Sequence, residues 1–340
     1  MLKLIFSRLW QGFIVLLIVS ALTFALLAAA GGDALTAMQS DPLVKQETME
    51  NLRRVYGLDQ PLPVRYARWL ANATLRRDLG SSFYFHAPVS GIIAPRLLNT
   101  LLLASVALFI SSSFAFALGA WAARRQRTWI DRLSSAIVLL AASTPRLVLA
   151  LVALALAART SFFVVSSAPA SNAGLTIGGT LPRIILPALV LSVPLVALFL
   201  AQAREGIGTA LVEDFVQVAR AKGLPERVVI LRHALRAALN PLITIFGYSL
   251  GAAISGSVIV ETILGWSGLG QLSVIAVRSR DVPLLMGVVL ITSTAVLAGN
   301  LLADILQRTN DPRLRDDEQV GSNKNITASP STTNTAATVA

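Results

Sequence analysis

Six long apolar runs constrain this chain before anything else: roughly 10–30, 98–122, 133–157, 184–203, 241–263 and 284–307. Runs of about 18 or more residues with few charges can cross a hydrocarbon core about 30 Å thick as helices. Composition agrees, since 54% of the 340 residues are hydrophobic and 14% are charged, against about 25% charged in soluble domains. The expected fold is an all-α integral membrane protein with six transmembrane helices.

The first run follows Lys3 and Arg8, so a cleavable signal peptide competes with an uncleaved span. "AAAGG" has the small residues of a cleavage site, but "FIVLLIVSALTFALLAAAGG" is longer than a usual signal core, and the uncleaved span is preferred. Basic residues set the orientation. Arg124, Arg125, Arg127 and Arg132 crowd the second loop, and Arg204, Arg220, Lys222, Arg227, Arg232 and Arg236 the fourth. The third offers Arg159 and Arg183, and the fifth Arg278 and Arg280. Both termini and the even loops are therefore expected on the cytoplasmic side.

The chain then divides into 1–30 (N-terminal segment and first span), an extracytoplasmic segment at 31–97, five spans over 98–312 with a long loop at 204–240, and a cytoplasmic tail at 313–340. The external segment has helix-like patches around 40–56 and 64–76, separated by "GLDQPLP". The tail, polar and nearly free of bulky apolar residues, reads as disordered.

The net charge of +11 does not point to nucleic acid. Much of the excess lies in cytoplasmic loops, where topology and anionic headgroups account for it, and no aromatic-basic patch accompanies it. With no cysteine, disulfides and thiolate metal sites are excluded, and His86 and His233 lie far apart in sequence. No metal site is expected. Nor is there a G-x-x-x-x-G-K-[ST] phosphate loop or a plausible catalytic set, so the chain is not expected to be an enzyme.

The fourth loop, "EDFVQVARAKGLPERVVILRHALRAALNP", has more structure than a linker needs. Leu211, Phe215, Val218 and Ala219 recur at helical spacing opposite Glu213, Gln217 and Arg220, predicting a short amphipathic helix over 211–222. Glu213 and Asp214 open it and Arg220 and Lys222 close it, complementing the helix dipole. Gly223 stops it. Pro225 suits the first turn of a second helix running to about Leu239, before Asn240-Pro241 opens the next span. The elbow reads either as an interfacial amphipathic loop or as a docking knuckle for a cytosolic partner.

Charged residues inside spans are functional candidates. Arg146 follows Pro145 in the third run, where a kink and a cation could line a substrate path, or the helix is interrupted and Arg146 snorkels or pairs locally. Asp304 near the end of the last run reads as interfacially solvated. Glu261 at the outer end of the fifth suits a structural hydrogen bond or a gating role. "GWSGLG", with Gly265, Trp266, Gly268 and Gly270, reads as an outer turn.

Several segments resemble ABC-importer permeases of the dipeptide, oligopeptide and nickel subgroup: "GLDQPL" with "RYARWL", "RRDLGSSF", "RLLNTLLLA", "ARAKGL" with "RHALRAALNP", "VETILGWSGLGQL" and "DPRLR". They follow in the family's order and cover about 1–315. The resemblance implies a type I ABC importer permease fold in the bacterial inner membrane. By it, the helix near Ala219, Arg220, Ala221, Lys222, Gly223, Leu224, Pro225 and Glu226 is the coupling helix, seated in a groove of an ATP-hydrolysing subunit. The family's loop signature falls on Gln217, Val218, Ala219, Gly223, His233, Leu235 and Arg236, so its Ile and Pro are absent. Gly31-Gly32-Asp33-Ala34 stands where such permeases often carry Pro-Gly-Asp-Pro.

The implied partners are a second homologous permease, two cytosolic ATP-binding subunits, an extracytoplasmic solute-binding protein and the lipid bilayer. No cofactor is expected on this chain, ATP and Mg belonging to the ATPase, and peptides are the implied substrate. The other classes are an ion-driven secondary transporter, although no convincing repeat relates the two halves, and a membrane-bound scaffold or sensor.

Overall fold

The computed structural model of the chain describes residues 2–30, 59–125, 127–160, 177–229, 232 and 235–310. The expected helix at 40–56, Gly31 to Ala34, His233 and the tail at 313–340 lie outside the described residues. The helices are α1 (Leu2–Ala29), α2 (Leu62–Ala71), α3 (Val89–Arg124), α4 (Trp129–Ser143), α5 (Arg146–Thr160) and α6 (Ile177–Ala210). Then come α7 (Asp214–Ala221), α8 (Glu226–Val228), α9 (Leu235–Leu264), α10 (Leu269–Arg278) and α11 (Val282–Asn310). Among the described residues there is no strand beyond an isolated bridge between Ser81 and Pro88.

Five helices are long and apolar enough to cross a membrane alone, namely α1, α3, α6, α9 and α11. The third expected span is a bent pair, and counting it gives six. Here the structure departs from a continuous helix over 133–157: α4 and α5 meet at 98°. Pro145 has no N–H to donate and disfavours helical geometry in the residue before it, and Thr144 is extended, at φ −85° and ψ 119°. Pro95 in α3 and Pro182, Pro187 and Pro194 in α6 leave their helices unbroken.

At the centre α3 packs along α6, and α9 packs on both. The buried seam includes Leu103 and Leu108 of α3, Leu191, Phe199 and Leu200 of α6, and Ile254 of α9. Lipid tails are as apolar as these side chains, so helix association here depends on close packing more than on escape from water. The α9–α11 contact illustrates this: a Cβ at Gly247 would run into Ala303. α1 packs on the outside of α11 and is the least covered span.

At one end of the bundle, here called the clasp end, α10 lies across the starts of α3 and α11, burying Val89, Ile93, Leu272 and Leu284 together. Asp281 starts α11 as its cap, Oδ1 accepting the Leu284 N–H at 3.1 Å. Its Oδ2 accepts from the Ser82 hydroxyl at 2.6 Å and the Tyr84 N–H at 3.0 Å, pinning the "GSSFY" loop to this turn.

Candidate functional site

The opposite end carries the elbow. α7 begins at Glu213 with Asp214 in its first turn and ends as a glycine-closed helix. Gly223 has φ +74°, where a side chain is strained. The Gly223 N–H donates to Arg220 O at 2.9 Å and the Leu224 N–H to Ala219 O at 3.4 Å, the paired bonds of a Schellman motif. Arg220 then reaches across the turn: Nη2 donates to Glu226 Oε1 at 2.9 Å, Nε to Oε2 at 3.3 Å, and Nη1 to Leu211 O at 3.3 Å. These bonds hold the Glu226 carboxyl below its ordinary pKa and the Arg220 guanidinium above its own.

Two expectations for the elbow change. The face buried against the bundle is Leu211, Val216 and Ala219, whereas Phe215 and Val218 are 45% and 53% exposed. The loop is thus apolar on both sides: one face seats it, and the other points outward, continued by exposed Val212 and Leu224. The second helix is also not a separate α-helix ending before Asn240: α8 covers Glu226–Val228, Val229 and Arg232 are π-helical, and Leu235–Leu239 belong to α9, which passes through Pro241 without a break. Ala219 is therefore a buried seat, Arg220 is half-buried, and Ala221, Lys222, Gly223, Leu224, Pro225 and Glu226 are exposed.

At the clasp end, the expected turn residues form a closed network. Glu261, fully buried in α9, accepts from the Ser257 hydroxyl at 2.7 Å and the Thr100 hydroxyl at 2.8 Å. Its other oxygen accepts the Gly270 and Gln271 N–H groups at 2.7 and 3.1 Å, satisfying the first turn of α10. Thr100 in turn accepts the Leu269 N–H at 2.8 Å. Trp266, 1% exposed, donates its indole N–H to Asn99 O at 3.2 Å, and Asn99 donates to Ser267 O at 2.9 Å. Gly265 turns the chain at φ +70°, and a Cβ at Gly268 or Gly270 would collide with the Glu261 carboxylate or with Val258. The expected structural role of Glu261 is present in these four hydrogen bonds, which tie α3, α9 and α10 together.

Arg146 is the first residue of α5, directly after the break, with Pro145 exposed beside it. Its guanidinium lies against Gly256 of α9, where a Cβ would displace it. The interruption expected at Pro145 is present, since α4 and α5 meet at 98°, and the neighbour of the guanidinium is the Gly256 backbone. Gly256 adjoins Ser257, which places this cation next to the clasp along α9. Asp304, expected to be solvated, is buried instead: Arg8 Nε contacts Oδ2 at 2.8 Å and the Tyr248 hydroxyl donates to Oδ1 at 3.0 Å.

Sequence reasoning missed Asn99, Thr100, Ser257 and Asp281. Asp281 had a readable signal, a cap residue followed by an apolar residue and proline at the start of a periodic run. The other three are polar residues within apolar helices, with no local cue to their partners.

An apolar bundle of five to six candidate spans, with an elbow at one end and a pinned polar clasp at the other, defines a multi-pass membrane protein. The chain belongs to the family described as "Binding-protein-dependent transport system inner membrane component", which matches residues 115–316. The companion N-terminal family of these membrane components matches residues 1–104. It is therefore a permease subunit of an ABC importer, with the type I importer fold, and the elbow and the Glu261 side of the clasp fall in the larger match. A Brucella suis biovar 1 protein named as a peptide permease is 35% identical over 318 residues, covering 93% of this chain and 99% of that one. The oligopeptide transport system permease protein AppB of Bacillus subtilis is 35% identical over 302 residues (88% and 95%). OppB of Mycobacterium bovis, also named an oligopeptide transport system permease protein, is 31% identical over 318 residues (91% and 97%).

Proposed function

We propose that this permease imports peptides, forming one half of a translocation path with a second homologous permease. Two cytosolic ATP-binding subunits drive it, and an extracytoplasmic solute-binding protein delivers the substrate. Both termini and the elbow face the cytoplasm in this reading. The basic residues of the second and fourth loops support that orientation, and the names of the relatives support the substrate class. ATP and Mg bind the partner ATPases, and this chain contributes no catalysis.

One observation carries the coupling assignment: α7 is locked by the Gly223 closure and the Arg220–Glu226 pair, yet leaves Phe215 and Val218 facing outward. A fixed apolar face outside the bundle needs a partner, and a partner that moves would transmit its motion through so rigid an elbow. Arg146 and Pro145, at the break between α4 and α5, are assigned to the substrate path, with Arg146 facing a peptide carboxylate. Glu261 with Gly265, Trp266, Gly268 and Gly270 is assigned to the outer gate.

The test is a Phe215→Asp/Val218→Asp double variant in the assembled complex. Both side chains are exposed, so insertion should persist while ATPase association, transport and substrate-stimulated ATP hydrolysis fall together. Normal coupled transport by this variant contradicts the assignment. Ion-driven uptake by the purified chain alone would favour the secondary-transporter reading, which family membership does not.

A further inference from the structure

Another feature has no part in coupling or in the path. Between α1, α9 and α11 lies an open crevice of about 550 Å³, within the roughly 300–1,000 Å³ range of small-molecule sites. Its polar lining is Arg8, Gln11, Tyr248, Thr294, Asn300 and Asp304, and its apolar walls include Leu16, Leu297 and Leu301. The charged residues gather at one end, and Thr294, deeper in, spends its hydroxyl on Leu290 O at 2.7 Å. Arg8 lies six residues after α1 begins at Leu2, and Asp304 six residues before α11 ends at Asn310, about 9 Å along each helix at 1.5 Å per residue. Their ion pair therefore sits toward one end of the bundle, the level at which headgroups meet hydrocarbon. From Arg8 the crevice runs toward the membrane interior as far as Leu16, about 12 Å at 1.5 Å per residue.

We propose that this crevice binds one glycerophospholipid, its phosphate on the guanidinium of Arg8 and an acyl chain between α1 and α11. The Asp304 carboxylate is already served by Arg8 Nε at 2.8 Å and by Tyr248 at 3.0 Å. Only one edge of the guanidinium is used by that pair. The rest has a long 3.4 Å contact to Gln11 and belongs to a side chain that is 47% exposed, leaving planar donors suited to a phosphate. A protein helix, about 10–12 Å across with side chains, is too broad for a crevice of this volume. An acyl chain matches the apolar walls, and the phosphate that accompanies it falls at the Arg8 level.

The inference requires the chain to be membrane-embedded and is independent of the coupling assignment, so either can fail alone. The test uses the full-length protein, delipidated in a non-phospholipid detergent and titrated with phosphatidylglycerol, phosphatidylethanolamine or inorganic phosphate, with native mass spectrometry as the readout. One phospholipid per chain is expected. Retention should fall at least tenfold in Ala298→Phe, which fills the crevice from an exposed position without touching the ion pair. Arg8→Gln should behave likewise, with Arg8→Lys restoring binding through its charge. If Arg8→Gln releases α1 from the bundle, Ala298→Phe still decides. Unchanged retention in Ala298→Phe overturns the proposal, as does failure to retain either lipid. Displacement of the lipid by equimolar phosphate would also overturn it, reducing the site to an anion contact. So would cross-linking of the crevice to a protein partner in the intact complex.

Discussion

Thr100→Val isolates the clasp, because valine keeps the shape of threonine and removes only the hydroxyl. That hydroxyl donates to Glu261 at 2.8 Å and accepts the Leu269 N–H at 2.8 Å, in a residue 1% exposed. Losing the acceptor leaves a buried N–H unpaired, at about 1–3 kcal/mol. Glu261 loses one donor of four but keeps Ser257 on the same oxygen, so that loss costs about 0.5–1.5 kcal/mol. Together they predict destabilisation of α10 against the bundle by about 1.5–4.5 kcal/mol. If α10 opens as a local unit, its amides should exchange roughly 10- to 1,600-fold faster, at about 1.4 kcal/mol per tenfold. Hydrogen exchange over 265–278 reads this directly. Ser111→Ala is the control, since that buried hydroxyl bonds only within its own helix, to Leu108 O. Exchange within threefold of wild type in Thr100→Val would refute the claim that this network fixes the turn into α10.

Gly223→Val forces a β-branched residue to φ +74°, a cost of about 1–2 kcal/mol or more; transport and substrate-stimulated ATP hydrolysis should fall together while membrane abundance holds. Because the Glu226 pKa is lowered in the folded elbow, its contribution is present above the ordinary glutamate pKa and lost as pH falls through the lowered value. The pair is exposed and screened, so exchange of elbow amides should rise only severalfold at low pH, in line with under about 1 kcal/mol, and Glu226→Gln should abolish that dependence. Arg146→Ala at equal complex abundance should reduce transport of a carboxylate-bearing peptide more than that of its C-terminal amide; equal transport of both would return Arg146 to a structural role. Cysteines at Tyr84 and Lys222, both exposed, should label from opposite sides of the membrane, and labelling from the same side would contradict the orientation.

The parts of the fold set by local chemistry were legible in the sequence. Apolar length located α1, α3, α6, α9 and α11, and Gly223 with Pro225 located the elbow turn. What depended on contacts distant in sequence was not. Phe215 and Val218 have the right period for a buried face, but Val216 joins Ala219 in it, a choice of contacts made across the bundle and not by local spacing. Proline gave no reliable sign of a break, since Pro145 ends α4 whereas Pro241 lies inside α9; neighbouring helices decide which is tolerated. α10 is ten residues long, too short to stand out beside full spans, and its start is satisfied by Glu261 and Thr100 from two other helices. Asp304 looked solvated from its place near a span end, and only the packing of α1 brings Arg8 to it.

The coupling role of the elbow is tested most directly by proximity in the intact complex. Val218→Cys, on the exposed face of α7, should cross-link through a short bifunctional reagent to the ATP-binding subunit, and the yield should change between nucleotide-free and ATP-bound states. Ser113→Cys, an exposed position within the α3 span, is the matched control and should give no such product. Efficient labelling of Val218→Cys without any cross-link to an ATP-binding subunit in either state would contradict the account.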